Sequence, residues 1–219
     1  RSQTPAQQSL DALELTAQEF GSTAASIGIV IVLAAIIGQC LLESGAADKI
    51  TRTLLRMLGQ ERAALSLMSS GYFLSIPVFF DTVFYLMIPL AKATRLRTGK
   101  SYLFYVMAIV AGGVMAQSLV PPTPGPFFVA GEFGVDIGLM IMVGLAIGLL
   151  SSASGLLYGW WANSRMDLPL RESEESLEEL EAIAAKDDRQ LPSLWLAATP
   201  ILLPVVLIAG RTLMGSLST

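Results

Sequence analysis

The sequence predicts an all-α membrane protein in which transmembrane helices are combined with a re-entrant helical hairpin and an unwound, proline-rich broken helix. Three observations carry this. Of 219 residues, 53% are hydrophobic and 15% charged, against about 25% charged in an average soluble domain. Apolar runs recur at the length needed to cross roughly 30 Å of hydrocarbon. Two of those runs carry proline that reads as a break in the helix, Pro77 at the centre of one and four prolines within six residues of another.

The same numbers exclude other classes. A soluble enzyme or a disordered tail does not carry so much apolar side chain with so few charges. Fourteen Lys and Arg against 18 Asp and Glu give a net charge of −4, the wrong sign for a nucleic-acid partner. Cys40 is alone, and the chain has no His, so no metal site and no cofactor are expected. No catalytic residues are expected either, because no Ser has an evident base to activate it.

The chain begins at Arg1, not Met, and stops at Thr219 directly after an apolar segment. It reads as a piece of a larger membrane protein. Residues 1–21 are expected to form an extracytoplasmic tail or linker, and residues 22–162 a transmembrane core. The first run, Ser22–Leu42, is uncharged and of crossing length. Its Gly28, Ala34, Ala35 and Gly38 suit close helix packing.

The second run, Ala64–Ala91, would be about 42 Å long as one straight helix and would need a tilt of about 45° to fit the slab. It is too short for two full crossings. Pro77 at its centre removes a backbone donor and breaks the helix at Ser75-Ile76-Pro77. Residues 64–91 therefore read as a re-entrant hairpin.

The third run, residues 101–131, starts as a helix and then meets Pro121, Pro122, Pro124 and Pro126, with Gly125 between the last two. That proline density predicts unwound backbone, which is tolerated at membrane depth only where protein or a wet cavity satisfies its carbonyls. The fourth run, Ile137–Ala162, ends in Tyr158, Trp160 and Trp161, an interfacial aromatic belt. Residues 163–193 read as a cytoplasmic acidic loop with a short amphipathic helix. Residues 194–215 read as a final transmembrane helix.

Charge fixes an expected topology. The loops on both sides of the hairpin are basic, with Lys49, Arg52, Arg56 and Arg62 on one side and Lys92, Arg95, Arg97 and Lys100 on the other. The positive-inside rule puts both in the cytoplasm. The loop after the third run has Glu132 and Asp136 and no base, which suits the outside.

Two breaks then converge at the midplane. One is the hairpin tip around Ser75 and Pro77, followed by Asp81 and Thr82. The other is Gln117-Ser118 and the prolines beyond. Asp81 is the only charge in its run and reads either as a proton or cation site or as a cap on the second half-helix. Amides of Thr123 and Gly125 and hydroxyls of Ser118 and Thr123 suit an anion. Unwound carbonyls suit a proton or Na⁺.

At Gly71–Ala93, at Gln117–Gly144 with its PP-x-PGP motif, and at Gly38–Ile50, the sequence resembles the gluconate permease family of carboxylate:proton symporters. The resemblance implies one half of an inverted-repeat transporter with an ion-transporter-type fold in a bacterial-type inner membrane. It implies a missing C-terminal half as partner, and a small organic anion such as gluconate or a related hydroxy-carboxylate as substrate. It also carries an acidic residue onto Asp81. Many members have Thr-His where this chain has Ala116-Gln117, and often a His at Thr123. Without His, coupling in this half would fall to Asp81 or to Na⁺ in place of H⁺, or else to the missing half. A non-transporting scaffold or assembly subunit is the alternative, a cation-selective channel a third reading. Homo-oligomerisation is left open.

Overall fold

The computed structural model describes residues 5–99, 102–166 and 191–217. Among them all regular structure is helical. In chain order the helices are α1 (Pro5–Glu43), α2 (Ala46–Leu58), α3 (Ala63–Leu74), α4 (Phe80–Thr98), α5 (Tyr102–Leu119), α6 (Pro124–Glu132), α7 (Ile137–Arg165) and α8 (Leu194–Leu217). A single 3₁₀ turn, Gln60–Arg62, joins α2 to α3.

Helix α5 is the hub, packed by α3, α4 and α7. Its approach to α3 needs glycine on both sides. A Cβ on Gly112 would overlap the Met68 carbonyl, and one on Gly71 would stand 2.9 Å from the Ile109 carbonyl oxygen. Helix α7 uses small residues in the same way. A Cβ on Gly144 would overlap the Leu119 carbonyl, and one on Gly148 would lie 2.5 Å from the Tyr72 hydroxyl. That hydroxyl donates to the Leu145 carbonyl at 2.9 Å. In hydrocarbon, backbone contact of this kind holds helices together, because there is no hydrophobic drive between them.

The opposite faces are apolar and uncovered. On α7, Leu150, Leu157 and Trp160 are exposed, and on α8 so are Trp195 and Val206. Small residues inside and large apolar residues outside suit a lipid surround. By length and composition, residues 102–132 and Ile137–Arg165 can cross a membrane. Gln7–Ala25 and Gly28–Glu43 meet at 43° and add a third span if the pair counts as one.

Helices α3 and α4 form a hairpin around the break at residues 75–79. Ala63 at the start of α3 and Thr94 and Thr98 at the end of α4 line one cavity, so the chain enters and leaves at the same end. Thr98 and Tyr105 hydroxyls, 3.0 Å apart, tie the start of α5 to that end. Helix α5 therefore runs alongside α3 in the same direction.

Several expectations are corrected. Residues 5–21, expected as a tail or linker, are the first turns of α1; residues 6–20 contain neither Pro nor Gly to stop a helix. The second span break is shorter than the proline run. It occupies residues 120–123 and contains a cis Pro121–Pro122 peptide. Pro124 and Pro126 do not break a helix but begin α6, where their missing N–H groups would have had no helical partner. The loop at residues 43–63 contains a full helix, α2, which buries Ala46, Ala47, Ile50 and Thr51. Helix α4 runs through Pro89 to Thr98, seven residues beyond the apolar run. The acidic segment expected at residues 163–193 lies mostly outside the described residues.

Candidate functional site: two helix breaks on one helix

The hairpin break is built by residues that cannot extend either helix. Ser75 ends α3, its N–H donating to the Gly71 carbonyl at 3.0 Å. Pro77 follows. Phe79 then occupies the position before α4 with no side-chain acceptor to cap it. The first amide of α4, on Phe80, donates instead to Oε1 of Gln117 on α5. One turn earlier on α5, Gly113 makes room for the break. A Cβ there would overlap the Phe80 ring and stand 2.9 Å from the Ser75 Oγ.

The Ser75 side chain is fully buried, and its Oγ has no hydrogen-bond partner. A buried hydroxyl left unsatisfied costs about 1–3 kcal/mol. It is the kind of group a bound ion or polar ligand would satisfy. Val78 in the same break meets α1, where a Cβ on Gly38 would lie 3.1 Å from its Cγ1. Helix α1 also reaches α6.

The second break begins three residues beyond Gln117. Thr123 is 5% exposed, and its hydroxyl donates to the Val120 carbonyl at 2.6 Å. Thr123 is the N-cap of α6. With proline at the first and third helical positions, Gly125 is the one residue of the first three that carries an amide donor. Thr123 thus uses its hydroxyl hydrogen inside the break.

The expected site residues therefore divide. Gln117 and the Phe80 amide come together, and Ser75 lies beside Gly113 in the same break. Thr123 is buried in the adjacent break. Asp81 is exposed in the first turn of α4 and is not its N-cap residue, which is Phe79; as an acid near a helix N-terminus it complements the positive dipole end. Thr82 is half-buried, whereas Ser118 and Gly125 are exposed. Sequence reasoning missed Gly113, whose signal was the Gly-Gly pair inside an otherwise large-residue apolar helix. It also missed a buried hydroxyl on α7, Ser152, which has no partner. No cluster of three or more metal-type ligands occurs among the described residues. Two cavities of about 280 Å³ include no residue of either break, although the first reaches Phe73 at the end of α3. One is apolar, between α2, α3 and α8, and the other is basic, between α2 and α4.

Comparison with known proteins gives the same family as the motifs. The family model described as GntP family permease matches residues 6–218. An uncharacterised permease of Haemophilus influenzae is 40% identical over 193 residues, covering 86% of this chain and 40% of the relative. A gluconate permease of Pseudomonas aeruginosa is 35% identical, covering 88% of this chain and 42% of the relative. A D-serine transporter of Escherichia coli is 30% identical, covering 93% and 45%. The chain thus spans about two-fifths of the length of the curated relatives it matches. No solved structure matches it significantly. A helix-only architecture with an apolar exterior, two proline-marked breaks and a family match along nearly the whole chain lead to one conclusion: this is an inner-membrane chain that belongs to the GntP permease family, a family of transporters and not of enzymes.

Proposed function

We propose that this chain is part of a secondary active transporter of small organic anions, gluconate or related sugar acids and hydroxy-carboxylates, coupled to H⁺ or Na⁺. The observation that carries the reading is a buried, unpartnered Ser75 hydroxyl in the break whose second helix is capped by Gln117. Interrupted helices supply the backbone amides and carbonyls that transporters use at their midplane sites. Relatives named for gluconate and for D-serine also support a small ligand that carries both a carboxylate and a hydroxyl.

In this reading α3 and α4 form a re-entrant hairpin entered from the cytoplasm, and α5 with α6 forms the broken span. Ser75, Gln117, Thr123 and the Gly125 amide line the anion's path, with Ser118 and Thr82 at its edge. Gln117 gives its carbonyl to Phe80, so its NH₂ is the end that faces a carboxylate. Asp81 is the coupling carboxylate. The remaining part of the transporter supplies the other side of the site. No observation favours a non-transporting scaffold.

The test is uptake by the full-length protein in proteoliposomes, with a panel of labelled sugar acids and D-serine and with imposed pH or Na⁺ gradients. Concentrative uptake of a hydroxy-carboxylate under one of the two gradients is expected. Absence of uptake for every acid under either gradient overturns the reading.

A further inference from the structure

The hairpin's open end carries a basic cleft that includes no residue of either helix break. Two cavities between α2 and α4 share Leu55, Arg56, Thr94 and Arg97 and form one cleft. The smaller, of about 170 Å³, adds Arg52, so arginines from two helices line one space. The larger reaches Ala63 in the first turn of α3, whose N-cap residue, Arg62, makes no side-chain cap. Among the described residues neither lining includes an acid.

The surroundings reinforce the sign. Residues 46–62 and 90–99 contain seven Lys and Arg against two acids. They sit at the ends of the apolar helix α3 and of α4, beside the start of α5. Arg95 donates to the Gly99 carbonyl, and Arg52 and Arg56 also engage neighbours within the protein, so a ligand would take up the donors that those contacts leave among the five of each guanidinium. The Thr94 hydroxyl donates to Leu90 at 2.7 Å. Recognition therefore rests on the guanidinium forks. Forks of this geometry bind phosphate oxygens in pairs, which an ammonium does not do. The α3 N-terminus adds favourable dipole on the same side.

We propose that the α2–α4 cleft, through Arg52, Arg56 and Arg97, binds a phosphate group, supplied by the headgroup of an anionic lipid or by soluble phosphate. A lipid would dock the basic face of α2 against the bilayer surface and brace the open end of the hairpin.

The experiment uses purified full-length protein and a double variant, Arg56→Gln with Arg97→Gln. Both side chains are exposed, so their loss does not threaten the fold. Native mass spectrometry follows retention of phosphatidylglycerol and of phosphatidylcholine, and thermal shift follows stabilisation by inorganic phosphate. Phosphatidylglycerol retained in preference to phosphatidylcholine, and weakened about 25-fold in the double variant at roughly fivefold per charge, assigns the cleft to the headgroup. Stabilisation by inorganic phosphate that the double variant loses, with no preference between lipids, assigns it to the soluble ion. Equal behaviour of wild type and double variant towards all three probes overturns the proposal. So does an equal loss in Arg165→Gln, which removes a guanidinium that lies over Trp161 at the end of α7.

Discussion

Phe79 offers α4 no acceptor, so the helix takes its cap from Gln117 on a neighbour, and a single side chain joins two elements at the point where one is broken. Gln117→Leu keeps the bulk and strands the Phe80 amide. A thermal melt in detergent should record a loss of about 1–3 kcal/mol, and Gln117→Glu, which still accepts, should recover most of it. An unchanged melt for Gln117→Leu would deny the cap. At Gly112 the obstacle is backbone. Gly112→Ala puts a methyl into the Met68 carbonyl and should cost about 1–3 kcal/mol by overpacking, whereas Gly28→Ala, which meets nothing within 4 Å, should leave the melt unchanged or slightly higher. Asp81 poses a functional question. If it couples transport to an ion gradient, Asp81→Asn abolishes uphill accumulation while expression stays normal. Wild-type accumulation by that variant would reduce Asp81 to a complement of the α4 dipole. The acid was legible because a charge inside an apolar run stands out. Gln117 was legible as a polar residue near a break, but its role was not, because a cap supplied by another helix depends on how the two helices pack.

At the scale of elements, the α3–α4 hairpin has the most direct consequence for topology. Both ends lie together at the basic cleft, so both should be reached from one face of the membrane. With Cys40 replaced, single cysteines at positions 62 and 92 should react with an impermeant maleimide from the cytoplasmic face of oriented vesicles. Labelling from opposite faces would make the segment a crossing instead. The break at Pro77 was readable because the run is too long for one crossing and carries its proline at the centre, where a helix loses both a donor and its clearance. The proline run at residues 121–126 was harder. Proline is forbidden inside a helix yet favoured in its first turn, and composition alone does not say which proline ends one helix and which starts the next. Helix α2 escaped for a different reason. Its charges read as loop, although Ile50, Leu54 and Met57 recur at helical spacing.

For the whole molecule, the distribution of side chains is turned about relative to a soluble bundle, with Gly71, Gly112 and Gly144 at the contacts and Leu150, Trp160 and Val206 outside. Such a surface demands an apolar solvent. The chain should stay in the membrane pellet through an alkaline carbonate wash and come out only with detergent. Release by carbonate alone would contradict the outward-facing apolar surface. The packing of α5 also bears on motion. This helix caps α4 through Gln117 and three residues later becomes the second break itself. A rotation of α5 that withdrew Gln117 would uncap α4 and swing residues 120–123 in the same stroke. The two interruptions hang on a single shaft, so a displacement of that one helix would be felt at both.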